Sequence, residues 1–465
     1  MSVEDMFLPP ANRAMRILDR SFFQRSVPLA AARVYNNKDI SSCRKALERS
    51  KDMLDKSRLL VVRPDPLPEL AKLGRKCLLL RPEVRPDDSS TWSSELQDMD
   101  RKGVIGVVPY KLHLDYDYWT YHDIITAILP EDEQGEVPSG FVTVGHVAHL
   151  NLRDQYLPYK NLIADVLMDK NHGIKTVINK IDNVGDESEF RTFNYEVLAG
   201  TDDLNVTVNH ENCVFRFNYG KVYWNTRLDT EHRRLVELFK EGDAVCDVMA
   251  GVGPFALPAG KRGIFVWAND LNPESYMCLV DGIKRNKVSD YVRPFNKDGH
   301  AFIRDATHEL LNTEHSVPIY AKTSKNAPSP ASSKSAQPIR TVVQPKTFGH
   351  YVMNLPASAV SFLPSFIGLY STPVSSPSTA YEKLFTPHTD RELPMIHVYT
   401  FSTKSDDNVA QGVEICERIS KEIGYEITPQ TPETTIWDVR DVAPAKRMFC
   451  ASFRLPREVA FRNRT

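Results

Sequence analysis

The run Asp247 to Phe255, DVMAGVGPF, ends an apolar stretch in an acid and places two glycines before a helical pattern resumes. Gly251 and Gly253 remove side chains where a backbone could approach a bound molecule closely. Roughly twenty residues further on, the next apolar run ends in Asp270 and Leu271, and an acid at that spacing suits the hydroxyls of a ribose. A tight β–α turn would account for a lone G-x-G, but not for Asp247, the glycine pair and Asp270 as one ordered set. The third glycine of a dinucleotide fingerprint is missing, since position 254 is Pro and position 256 is Ala, which disfavours a pyrophosphate on the helix N-terminus. The pattern favours S-adenosylmethionine, which carries no phosphate. Asp298-Gly299, where a third strand would end, adds an acid suited to an adenine amine.

A second constellation closes the fourth predicted strand. Asn354-Leu355-Pro356 offers a short polar side chain and a proline-fixed turn directed at the same edge. Amino-methylating enzymes carry N-P-P-Y at this place. Here Leu355 and Ala357 stand at the second and fourth positions, which disfavours chemistry on an exocyclic amine.

The elements that would hold these residues alternate from Leu228 onward. A helix over 230–240 leads to strand AVCDVMA, the glycine loop, strand IFVWAND and a helix from Pro273 through Asn286. Strands HYVMNLP and MIHVYTFS follow, then a helix Asn408 to Ile423 and a strand pair, TIWDVRDVA and MFCASFRL. Such alternation predicts an α/β fold, a mostly parallel Rossmann-like sheet covered by helices on both faces, and the closing pair predicts an antiparallel last strand. The preceding half reads as α+β: a strand from Val104, a helix opened by Thr120, strands FVTVGHVAHLNL, IKTVINKI and VFRFNYGKVYW, and a helix from Leu157 to Lys170. The first hundred residues read as irregular. The boundaries suggested are 1–135, 136–228 and 229–462, with flexible insertions near 320–345 and 370–394.

At 465 residues and a net charge of -2, the chain is a multidomain globular protein that does not bind nucleic acid by bulk charge. Its seven cysteines form no C-x-x-C pair and no zinc-ligand spacing appears, so neither a disulfide framework nor a metal is expected. No apolar run reaches the length of a membrane span. Arg13, Arg16, Arg20, Arg25 and Arg33 interleaved with Met15, Ile17, Leu18, Phe22 and Phe23 read either as a transit segment or, given the acids Glu4, Asp5 and Asp19, as a docking helix of the folded protein.

EFRTFNYEVLAG (Glu189 to Gly200), KVYWNTRLDTEHRRL (Lys221 to Leu235), DVMAGVGPF, NDLNPES, VMNLP and RDVAPAKRMFC together resemble the eukaryotic and archaeal tRNA (guanine-37-N1)-methyltransferase family over most of the chain from about residue 105. The resemblance implies methyl transfer from S-adenosylmethionine to N1 of the guanosine 3′ of the anticodon, with tRNA as partner, no membrane and a monomeric enzyme. Guanine N1 carries a proton at neutral pH, so a general base is required. By resemblance Glu231 is that base, Arg191 stabilises charge on O6, Asn354 and Pro356 position the guanine, and Tyr223 lines the pocket. His232 stands where relatives place an Arg that touches the methionine moiety. Arg227 is a candidate RNA contact. Without the resemblance, Glu231 reads as an acid in the first turn of a helix, Arg191 as an ion-pair partner and Tyr223 as a packing aromatic. Two other readings stand beside methylation: the aminocarboxypropyl transfer of wybutosine synthesis, and a non-catalytic tRNA-binding module. The expected compartments are cytoplasm and nucleus, with a mitochondrial matrix fraction.

Overall fold

Seven strands from the second half of the chain form one sheet, and their order decides where a ligand can bind. The computed structural model describes residues 4–181, 190, 192–320, 337–371, 384–385, 392–403, 407–443 and 445–463. The strands are β1 (Ala244–Asp247), β2 (Phe265–Asn269), β3 (Val292–Phe295), β4 (His350–Met353), β5 (Met395–Thr403), β6 (Thr435–Ala443) and β7 (Lys446–Arg454), in the spatial order β3-β2-β1-β4-β5-β7-β6. The pairings β1 to β2, β1 to β4, β2 to β3 and β4 to β5 are parallel, whereas β7 runs antiparallel to both β5 and β6. The predicted Rossmann-like sheet and its antiparallel last strand are both present. The order reverses beside β1, so the carboxyl ends of β1 and β4 splay their loops apart and open a crevice.

Every residue of β1 and β2 is buried, as expected of strands covered on both faces. The helices are α1 (Asp229–Leu238), α2 (Ala256–Lys261), α3 (Pro273–Asn286), α4 (Gly299–Asn312) and α5 (Asn408–Ile423). Their starts are written locally. Asn272 accepts the Glu274 N–H with Pro273 in the first turn, Asp298 accepts the Ala301 N–H, and Asp407 accepts the N–H groups of Val409 and Ala410. Asp298 is therefore the cap of α4, three residues beyond β3, and not the end of that strand as the sequence suggested. Trp267, Phe302, Tyr351 and Phe366 centre the core.

The chain divides into two compact units: Met1–Phe141, Leu150–Asn179 and Val197–Thr201 form one, and Val142–His149, Lys180–Glu196 and Asp202–Thr465 form the other. In the first, strands Val62–Pro64, Lys76–Leu79, Arg25–Val34 and Ile105–Leu114 build an antiparallel sheet in that order. Helices Ile40–Arg49 and Ser94–Arg101 contribute Cys43, Leu47 and Leu96 to its core. The first hundred residues are thus folded, not irregular. The Arg-rich N-terminal segment packs too, burying Met15, Leu18 and Phe23, but through 3-10 turns at Asp5–Phe7 and Arg20–Phe22 and not as the expected docking helix.

Two further expectations change in the second unit. FVTVGHVAHLNL is a hairpin, Val142–Val144 with Val147–Leu150, because Gly145 turns the chain at φ +58. Most of the two predicted insertions lies outside the described residues, but Ser316–Ile319 and Arg340–Val343 pair antiparallel at the base of the first.

At the carboxyl edge of the sheet, buried Asn269 donates through Nδ2 to the carbonyls of Val248 (3.1 Å) and Lys297 (3.0 Å), and its Oδ1 accepts the Lys297 N–H (2.8 Å). One side chain thereby ties the loops after β1, β2 and β3. Asn269→Leu keeps the size and strands three backbone groups, so it should lower stability by about 3 kcal/mol or more. A urea midpoint indistinguishable from the wild type would refute this.

Candidate active site

Asp247 ends β1 fully buried, and neither carboxylate oxygen makes a well-formed hydrogen bond. Burial, followed by the charge of Asp270, raises its pKa to about 8, against the opposing effect of the Met249 N–H. Asp270, at the end of β2, accepts the Gly251 N–H (2.7 Å) and the Asn272 N–H (2.9 Å). Its carboxylate thus links the glycine loop to the cap of α3. Burial raises its pKa, and these two bonds counter the shift.

The glycine loop closes over a cavity of about 1040 Å³ including its open mouth. Gly251 has φ +57, and a Cβ there would project into open space. A cavity wall left bare at this point lets a ligand lie against the backbone. Gly253 has φ +92 for a different reason: a Cβ would meet Leu279 of α3 at 2.7 Å and Leu257 of α2 at 3.1 Å. Its role is helix packing, and it does not line the cavity.

Of the residues anticipated from sequence, Tyr223, His232, Gly251, Asp270, Leu271, Asp298, Gly299 and Asn354 line this one cavity. Asp247, Glu231, Arg227 and Pro356 do not. Pro356 is buried, and its carbonyl accepts the Phe401 N–H at 3.3 Å, so it fixes the turn while Asn354 and Leu355 face the cavity. Arg227 is exposed. Arg191 lies outside the described residues, although its neighbour Phe190 borders the cavity.

Glu231 is buried on α1, where Arg234 donates to it twice at 2.7 Å and the Tyr399 hydroxyl donates at 2.7 Å. His232 is buried beside it with its ring 4.8 Å from that of Phe255. Burial first, then His210, lowers the His232 pKa to about 3, so the imidazole is neutral.

Sequence reasoning did not anticipate Trp224, Asn225, Asn272, Ser275, Phe190 and Phe362 as cavity residues. Asn225 had a local signal, because its carboxamide caps the turn at Thr226–Leu228 and its Nδ2 donates to the Tyr223 hydroxyl at 3.3 Å. Phe362 had none. It stacks on His300 at 4.0 Å and comes close enough that a Cβ on Gly299 would meet it at 2.9 Å.

Residues 207–317 match the TRM5/TYW2 methyltransferase domain and residues 121–203 match the TYW2 N-terminal domain. A tRNA (guanine(37)-N(1))-methyltransferase of Phaeosphaeria nodorum is 55% identical over 460 residues, covering 98% of this chain and 100% of that protein. The chain belongs to the tRNA (guanine(37)-N(1))-methyltransferase family. The Schizosaccharomyces pombe member is 42% identical, covering 96% of this chain and 95% of that one. Two solved structures share the fold at 18% identity and 92% coverage of this chain: Trm5b of Pyrococcus abyssi, with TM-score 0.54 over 99% of its length, and a complex of aTrm5 with tRNALeu, with TM-score 0.55 over 100%. The protein is therefore an enzyme that methylates tRNA at N1 of guanosine 37, with S-adenosylmethionine as methyl donor. The cavity fits that donor: a bare glycine backbone, an acid in its wall at Asp270, and a second, fully buried acid behind them.

The raised pKa of Asp247 has a measurable consequence. The folded carboxyl keeps its proton to about pH 8, whereas an unfolded Asp loses it near about 3.9, so this group costs stability as pH rises between those values. Asp247→Asn removes that titration. In the cofactor-free protein its Tm should gain on the wild type progressively from pH 5 to pH 8, and a pH-independent offset in calorimetry would contradict the assignment.

Proposed function

We propose that the donor lies along the cavity with its ribose at Asp270, its adenine between Leu271 and the Asp298-Gly299 turn, and its methionine end toward His232 and the Asp247 side of the loop. The observation that carries this reading is that Asn354, at the end of β4, shares one cavity with Gly251 and Asp270, at the ends of β1 and β2. When bound, S-adenosylmethionine supplies an electrophilic methyl on a positively charged sulfur. The residues of this chain then govern the acceptor. Asn354 offers both a donor and an acceptor to a guanine edge, held by the buried turn at Pro356. Tyr223 and Trp224 give the flipped base an aromatic wall.

Glu231 takes the N1 proton as the methyl arrives, and Arg191 offsets the charge on O6. In the ligand-free enzyme Arg234 and Tyr399 hold the Glu231 carboxylate away from the cavity. Base function thus requires it to exchange those partners for the guanine, a rearrangement common in sites that align only when substrate binds. Arg227, exposed beside the cavity residues Asn225 and Leu228, contacts tRNA phosphate.

Incubating the enzyme with S-adenosylmethionine and an unmodified tRNA transcript, followed by mass spectrometry of the nucleosides, should yield 1-methylguanosine from position 37 and none from a transcript with adenosine there. An aminocarboxypropyl adduct would overturn the reading. Glu231→Gln should slow single-turnover methyl transfer by about a hundredfold with donor and tRNA affinities near those of the wild type, and an unchanged rate would remove Glu231 from proton transfer.

A further inference from the structure

His210, Asp229 and His232 converge behind the cavity, of whose wall His232 is part, and nothing in the methylation chemistry uses them as a group. His210 ends strand Asn205–His210, whose hairpin with Cys213–Asn218 turns through Glu211 and Asn212, both at positive φ (45° and 59°). Asp229 and His232 sit three residues apart at the start of α1, a spacing that puts both on one helix face. Two elements, a strand end and a helix start, thus bring two imidazoles and a carboxylate together.

Their polar atoms are unsatisfied. His210 Nε2, His232 Nδ1 and Asp229 Oδ1 are buried atoms without a hydrogen-bond partner. Leaving such atoms dry costs about 1–3 kcal/mol each, so one on each of three neighbouring residues calls for a missing partner. The spacing specifies what that partner is. One ligand atom from each residue lies within 4.8 Å of the others, His210 Nδ1 is 3.6 Å from Asp229 Oδ1, and the imidazole centres are 5.5 Å apart at 67°. Ligands about 2.0–2.1 Å from a tetrahedral zinc ion stand roughly 3.3 Å from one another and set two imidazole centres roughly 5 Å apart. The remaining gap closes by side-chain rotation. Asp229 is 45% exposed at its side chain, which leaves an entry path for an ion.

We propose that His210, Asp229 and His232 bind one divalent transition-metal ion of the zinc class. Two imidazole nitrogens and one carboxylate select such an ion over magnesium or calcium, which prefer oxygen ligands. With three protein ligands, a fourth position stays open to water. The ion clamps the hairpin to the first turn of α1, the turn that carries Glu231. Bound at Nδ1, it also leaves Nε2 of His232 as the protonated nitrogen, converting the ring at the cavity wall into a fixed donor.

The test uses the full-length protein, stripped with a chelator and titrated with zinc, and with cobalt for its visible spectrum. The wild type should take up one equivalent with a micromolar or tighter Kd, show the cobalt absorption of tetrahedral nitrogen and oxygen coordination, and gain several degrees in Tm. His210→Phe, which keeps a ring against Phe215 and Trp224, and Asp229→Asn should each weaken uptake at least tenfold and abolish the Tm gain. If His210→Phe does not fold, Asp229→Asn at its half-exposed helix-start position carries the comparison. Absence of stoichiometric uptake by the wild type, or equal uptake by a folded variant, would overturn the proposal.

Discussion

The Asn269 carboxamide sets the geometry on which the rest of the site depends. Parallel strands end in loops whose backbone groups have left the sheet ladder, and inside a protein each such group needs a partner. Asn269 supplies three at once, to Val248, Lys297 N–H and Lys297 C=O. One residue further, Asp270 repeats the device outward, accepting from Gly251 and Asn272. The order of cavity residues therefore follows from adjacent side chains at one strand end, the first tying the loops together and the second holding the glycine loop and the cap of α3.

That arrangement also accounts for the acids. Asp270 stands close enough to add to the cost of ionising Asp247, and no cation among the described residues pairs with Asp247. A structural role alone would favour an apolar or amide side chain at such a place, because a buried unpaired charge is destabilising. Position 247 instead retains an acid, whose proton burial holds in the ligand-free protein. His232 is neutral for the same reason, burial, and so adds no positive charge to the cavity wall.

Legibility in the sequence followed the range of the interactions involved. Helices Pro273–Asn286 and Asn408–Ile423 were readable to the residue because Asn272-Pro273, Asp407 and Gly424 punctuate them locally. Asp270 and Asn354 were readable because strand ends in an alternating α/β chain face the ligand edge by topology. The N-terminal sheet was not, apart from its strand Ile105–Leu114. Its long strand RSVPLAAARV combines an alanine run with Pro28, and its neighbours Val62–Pro64 and Lys76–Leu79 are too short to show alternation. Only pairing across long separations makes it a strand. Trp224 and Phe362 were missed for the same reason, since each reaches the cavity through tertiary packing and neither sits in a motif position that demands it.

Glu231 shows how far a residue's state can depart from its sequence context. As an acid in the first turn of α1 it would be an exposed, helix-stabilising charge. Tyr399, 168 residues away in the chain, instead covers it, and Arg234 turns back onto it while stacking on Trp437 at 4.9 Å. Three hydrogen bonds, two of them charge-assisted, hold this buried carboxylate out of water. On the proposed mechanism, that leaves the base for guanine N1 desolvated before the substrate arrives. The Glu231 and Arg234 side chains share one helix three residues apart, so exchanging partners needs side-chain rotation and no movement of the sheet. On the proposed mechanism, the ion pair that hides the base is also what keeps it ready.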